Sequence, residues 1–148
     1  MPTVNRSALV RHSPQAMFDL VNDFERYPEF LPGCRRARLI ESDTQHLVGE
    51  LTLAKAGVEQ SFTTRNDLYS PERIELSLVQ GPFRRLRGRW LFTPMGEQAC
   101  KVSLEMEFEF ANRLMGMAFG KLFQQVAGQL VDSFSRRAND LYGGDGRY

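Results

Sequence analysis

The chain has 148 residues with 42% hydrophobic and 25% charged content, the proportions of one soluble globular domain that buries roughly 70% of its unfolded surface. A net charge of +1 excludes a protein that is basic throughout, so DNA is not an expected partner, although local cationic patches stay open. Two cysteines, Cys34 and Cys100, make no disulfide framework, and there is no signal core or run of ~20 apolar residues, which together point to a reducing, cytoplasmic setting.

Thr3 to Arg11 reads as a first strand. Ser13 and Pro14 then supply an N-cap and a proline at the first helical position, and Met17, Phe18, Leu20 and Val21 give the following helix one apolar face. That helix stops by Pro28. The next stretch, Tyr27-Pro28-Glu29-Phe30-Leu31-Pro32-Gly33-Cys34, sets two aromatics and a leucine around two prolines, in a segment expected to be neither regular helix nor regular strand. Loops are ordinarily polar because their backbone needs water. A stiff apolar loop therefore covers something apolar: a core, a partner or a bound ligand.

Strand-like segments follow, separated by turn chemistry. Arg35 to Glu41 leads to a polar turn, and Leu47, Gly49, Leu51 and Leu53 alternate along the next run. Lys55-Ala56-Gly57 turns into Val58 to Tyr69, Ser70-Pro71-Glu72 breaks that run, and Ile74, Leu76 and Leu78 alternate up to Gly81-Pro82. Leu86, Gly88, Trp90 and Phe92 form another strand, ended by Pro94-Met95-Gly96. In the last, Cys100, Val102, Leu104, Met106, Phe108 and Phe110 point one way and Lys101, Ser103, Glu105, Glu107 and Glu109 the other, as in an antiparallel sheet with one wet face. Asn112 is a helix N-cap, and Met115, Phe119, Leu122, Val126, Leu130 and Phe134 make a stripe at spacings of three and four. A helix from Asn112 to Tyr142 spans about 45 Å at ~1.5 Å per residue. Only a strongly curved sheet wrapped around it uses that length. The expected architecture is α+β, a curved antiparallel sheet gripping a long C-terminal helix, in a single domain over 1–148 with 143–148 as a disordered tail.

Chemistry-bearing motifs are scarce. The two histidines, His12 and His46, stand near no Cys or carboxylate motif and read as surface residues, and no CxxC, HExxH or Gly-rich phosphate loop is present. Neither a catalytic set nor a metal-ligand set is expected. Cys34 and Cys100 read as small hydrophobes, with a reactive Cys34 beside its arginines as the alternative. Arg85, Arg87 and Arg89 alternate with apolar residues as Glu105, Glu107 and Glu109 do, so a hairpin between these strands sets opposite charges side by side. Arg35, Arg36 and Arg38 have no such obvious partners. With Arg84 and the helix-end pair Arg136 and Arg137, they are the candidates for contact with an external anionic surface. Gly116, Gly120 and Gly128 each cost about 1 kcal/mol against alanine inside a helix. They serve either close packing of sheet on helix or an internal volume, into which Met106, Met115 and Met117 would adapt.

These segments resemble a known family. The YPxFLPxC pattern of Tyr27 to Cys34 is similar to that of the coenzyme Q-binding branch of START-like (polyketide cyclase/SRPBCC) proteins. The likeness extends to Lys55-Ala56-Gly57, Phe62-Thr63-Thr64-Arg65-Asn66, Gly81-Pro82-Phe83, Trp90 with Phe92, and Phe108-Glu109-Phe110-Ala111-Asn112. The resemblance implies a helix-grip fold with an internal hydrophobic cavity. It also implies two activities: carriage of ubiquinone in support of respiration, and, in the ribosome-association toxins of the branch, binding of the large ribosomal subunit with a block on subunit joining. Distant members are polyketide cyclases.

The leading expectation is a non-catalytic protein holding ubiquinone or a similar isoprenoid lipid. Tyr27, Phe30, Leu31 and Pro32 would form the rim. Phe62, Leu76, Leu78, Trp90, Phe92, Leu104, Met106 and Phe108 would line the sheet, with Met115, Phe119 and Phe123 on the helix. The alternative is a ribosome-binding toxin using Arg35, Arg36, Arg38, Arg84, Arg136 and Arg137; a cyclase-like enzyme is the weaker alternative. The carrier reading places the protein in the cytoplasm with peripheral contact at the inner membrane.

Overall fold

The computed structural model describes residues 3–143. Seven strands form one antiparallel sheet: β1 (Thr3–Val10), β2 (Cys34–Ser42), β3 (His46–Lys55), β4 (Val58–Tyr69), β5 (Arg73–Gln80), β6 (Phe83–Pro94) and β7 (Cys100–Phe110). Their order is β1-β7-β6-β5-β4-β3-β2, so β2 to β7 run as a meander and β1 closes onto β7 at the far edge. Between β1 and β2 the chain forms helix α1 (Pro14–Asn22) and a 3-10 helix, Phe24–Glu29. Helix α2 (Arg113–Tyr142) lies across the concave face. The architecture is the expected α+β sheet gripping its last helix.

Local chemistry accounts for the boundaries. Ser13 caps α1 by accepting the Ala16 N–H at 3.1 Å, with Pro14 in the first turn where its missing N–H costs nothing. Asn112 caps α2 by accepting the Met115 N–H at 2.8 Å. Register shifts between Cys34 and Arg36, Leu39 and Glu41, Thr63 and Thr64, and Phe83 and Arg85 bend the strands, as extra residues in a ladder do. The tail expected at 143–148 lies outside the described residues apart from Gly143, whose N–H closes α2 on the Asn139 carbonyl at 3.2 Å.

The apolar segment differs from the expected irregular loop. Its first part is the 3-10 helix, with Pro28 inside it. That helix is short enough to tolerate a missing N–H, and packing holds it in place. The Phe24 ring lies against the backbone of β3, where a β-carbon built on Gly49 would fall 2.5 Å from it. Phe24 also meets Tyr27 with ring centroids 4.9 Å apart. Gly49 is thus required for closeness of approach rather than for flexibility. Gly49→Ala should destabilise the protein by about 1–3 kcal/mol through overpacking against Phe24. Urea denaturation monitored by Trp90 fluorescence measures this, with Gly128→Ala in α2 as the control, since a β-carbon there meets only the end of the flexible Arg6 side chain at 3.6 Å, an ordinary contact.

Candidate functional site

Sheet and helix enclose two differently filled regions. Where α2 begins, Phe62, Phe83, Phe108, Phe110, Phe119 and Phe123 occupy the space, in ring contacts with centroids between 4.8 and 6.2 Å. Gly116 and Gly120 serve this packing. A β-carbon at either would meet the Phe110 ring at 3.5 or 3.4 Å, so Phe110 takes up the room that their missing side chains leave. Gly128 faces Arg6 instead, whose Nη2 would lie 3.6 Å from such a carbon. The helical glycines therefore mark close packing, and the internal volume lies elsewhere.

That volume is a cavity of ≈ 70 Å³ further along α2, under the apolar segment. Of the residues named from the sequence, Tyr27, Leu31, Phe62, Leu76, Trp90, Met106 and Phe123 line it. Phe24, Leu51, Leu53, Thr64, Asn66, Leu86, Val126, Ala127, Leu130 and Phe134 line it as well. Several of these carried a sequence signal. Thr64 and Asn66 share the face of Phe62 at a spacing of two, and Val126, Leu130 and Phe134 belong to the helical stripe.

The other expected lining residues are not at the cavity. Phe108 and Phe119 belong to the phenyl cluster. Phe92 is turned to Phe18 of α1, 5.9 Å between centroids. Leu104 is fully buried in the surrounding core. Leu78 packs by the β5–β6 turn, where Gly81 approaches it. Met115 is only half-buried at the start of α2, and Met117 is exposed. Phe30 lies outside the cavity against Phe134 at 5.1 Å, and Pro32 faces solvent.

The polar wall of the cavity is small. The Thr64 hydroxyl donates to Asn66 Oδ1 at 3.0 Å. Tyr27 turns its hydroxyl away to donate to the Val21 carbonyl at 2.5 Å, and burial pushes that phenol well above its usual range. The lining residues thus include no acid–base pair. Burial also pushes the Cys34 and Cys100 thiols up to about 11, which removes the reactive reading of Cys34. His12 corrects another expectation. It is buried, bonded through Nε2 to Asn139 Oδ1 at 2.8 Å, because α2 returns to cover the end of β1. His46 lies within 3.1 Å of Asp43 and 3.4 Å of Glu41 in its turn. Among the described residues no group of three His, Cys, Asp or Glu side chains is placed to hold a metal ion.

The segment over the cavity is fastened to α2. Tyr27 meets Phe134 edge-on at 5.2 Å, and the Gly33 carbonyl accepts the Ala54 N–H at 2.9 Å. Gly33 has φ +87°, and a β-carbon there would fall 2.8 Å from Val126, so glycine is needed twice over. Arg137 supplies the polar fastening: Nη2 donates to Glu29 at 2.8 Å while the guanidinium sits 5.0 Å from the Phe30 ring centre. Its side chain is only 18% exposed, with Nε buried and unpartnered. Hydrogen bonds from Arg26, then from Arg137, hold the Glu29 carboxyl below its usual range.

The cationic candidates are less free than the sequence suggests. Arg35 pairs with Glu59, Arg38 with Glu50 at 3.3 Å, and Arg84 with Glu109 at 2.9 Å. Strand pairing causes part of this: β3 sets Glu50 opposite Arg38, whereas at the start of β6 Arg85 is the residue paired opposite Glu109 and Arg84, the extra residue at the register shift, makes the ion pair. The expected hairpin pairs form at Arg87–Glu107 and Arg89–Glu105, at 3.1 and 3.0 Å. Arg36 and Arg136 are exposed and have no carboxylate within ion-pair distance among the described residues.

The family described as "Polyketide cyclase / dehydrase and lipid transport" matches residues 10–135. The chain belongs to this family. It is 49% identical over 143 residues to the ribosome association toxin RatA of Vibrio cholerae, covering 97% of this chain and 99% of the relative. To the mitochondrial coenzyme Q-binding protein of Schizosaccharomyces pombe it is 25% identical over 140 residues, covering 89% and 84%. The crystal structure of the Zhui aromatase/cyclase from Streptomyces superposes with a TM-score of 0.80 at 15% identity, covering 97% and 98%, a likeness of fold alone. No helix among the described residues is long and apolar enough to cross a membrane.

Within this family scaffold the Arg137–Glu29 fastening has a pH signature. The folded-state carboxyl is lowered, so its contribution is complete above the ordinary Glu range and is lost as pH falls through the lowered value, beginning below about pH 4. Hydrogen-exchange protection at the Leu31 amide, which bonds the Tyr27 carbonyl at 2.9 Å, should fall over that window. Arg137→Ala should produce the same loss at neutral pH. Unchanged protection in the variant would mean that aromatic packing alone holds the segment.

Proposed function

We propose that the protein is a non-catalytic ribosome-association factor of the RatA type, docking on the large ribosomal subunit and hindering its joining to the small one. The observation that carries this reading is the near-full-length relative, about half identical, whose name states ribosome association. The relative named for coenzyme Q binding stands at 25% identity and supports quinone carriage less. Geometry is compatible with the ribosomal reading. Arg35, Arg36 and Arg38 stand on β2, an edge strand, and all three are exposed. Exposed ion pairs such as Arg38–Glu50 contribute only about 0–1 kcal/mol, so phosphate can displace the glutamate at small cost. Arg137 leaves the contact set, because it is committed to Glu29 and Phe30.

Sedimentation with purified large subunits at low and moderate salt tests the proposal. Comigration should weaken steeply with salt, and Arg36→Glu with Arg38→Glu should reduce it about tenfold or more. Failure to comigrate at any salt would sink it.

A lipophilic occupant, ubiquinone or a similar isoprenoid lipid, is the second reading, favoured by the apolar lining around the Thr64–Asn66 pair. The volume of ≈ 70 Å³ is well below the ~300–1,000 Å³ of drug-sized sites, so uptake on this reading involves widening of the cavity, with the Tyr27–Gly33 segment moving off α2. Native mass spectrometry with added ubiquinone should then show little uptake by the unaltered protein and more by Arg137→Ala. No uptake by either would remove the quinone.

A further inference from the structure

We propose that the projecting start of α2 is a docking surface for an anionic lipid bilayer. The ribosomal reading does not bear on this inference, which rests on a different surface. From Phe110 to Val131 the chain carries Arg113 and Lys121 and not one Asp or Glu. At 100° per residue, Arg113, Leu114, Met117, Ala118 and Lys121 share one side of the helix, and all are exposed. Leu114 is 74% and Met117 75% exposed, the two most exposed large hydrophobic side chains among the described residues. A flanking side, through Gly116 and Gly120, is the one that rests on Phe110. The apolar pair therefore has no part in the core.

Neighbouring elements add cations to the same end. The Ala111 N–H bonds the Pro82 carbonyl at 2.9 Å, which ties the start of α2 to the start of β6 with its exposed Arg85. Lys55 Nζ reaches Gln125 Oε1 at 3.4 Å and so stands on the other flank. Carboxylates at this end are already engaged, Glu59 by Arg35 and Glu109 by Arg84. Among the described residues, several acids without an ion-pair partner gather toward the far end of α2, where Arg136 also stands. There, α1 with Asp19 packs by Tyr142 and Asp140, and Asp23 and Glu25 follow α1.

Two apolar side chains ringed by cations match one kind of partner, a layer of anionic headgroups above acyl chains. A phosphate backbone would satisfy the cations and leave Leu114 and Met117 facing water.

The test is flotation of the full chain with phosphatidylcholine vesicles, with and without phosphatidylglycerol. Binding is expected to the anionic vesicles only, and to weaken with salt. Leu114→Ser with Met117→Ser should lower affinity about tenfold with no change in thermal unfolding, since both side chains are exposed. Arg113→Gln with Lys121→Gln should lower affinity and flatten the salt dependence. Absence of vesicle binding, or equal binding by the serine variant, overturns the proposal. So does loss of ribosome comigration in the serine variant without vesicle binding by the parent, which would assign this face to the ribosome.

Discussion

Everything in this molecule depends on how the concave sheet is filled where it wraps α2. A curved seven-stranded sheet cannot bury its inner face on itself, and a single helix is too narrow to fill the concavity. Six phenylalanines make up the difference at one end, with the glycines of α2 letting Phe110 come close. At the other end Trp90, Phe134 and Tyr27 do the same less completely, and the remainder is the small cavity. The cavity is thus what is left by a particular distribution of large side chains.

This filling explains why the apolar segment is both a wall of the cavity and part of the outer surface. Tyr27 and Leu31 belong to the core, while Phe30, Pro32 and Glu29 face outward to Arg137 and solvent. Core-like burial on one side and an exposed ion pair on the other make it the one part of the cavity wall that is not a strand or a long helix.

The electrostatic arrangement follows from sheet register. Alternation puts arginines and glutamates on the wet face, and antiparallel pairing decides who meets whom. Many of the outer arginines are neutralised in this way, while among the described residues Arg36, Arg85 and Arg136 are among those left exposed without a carboxylate partner, and the start of α2 carries cations beside two bare hydrophobes. A near-neutral chain can therefore present distinct surfaces to different anionic partners.

The sequence by itself determined the elements, their inner faces and the gripping architecture, because periods of two and of three to four, proline punctuation and the caps at Ser13 and Asn112 are local properties. It also marked the Tyr27–Cys34 segment as unusual. The tertiary structure alone decided where the cavity lies, and with which occupants of its wall. Whether Phe108 or Phe134 borders a void depends on the volumes of rings arriving from several strands, which no spacing along one chain encodes. It alone decided the partners of Arg35, Arg38, Arg84 and Arg137, since these depend on strand register and on a helix returning to residues more than a hundred positions earlier. The burial of His12 has the same cause: a contact 127 residues apart in the chain cannot be read from its neighbours.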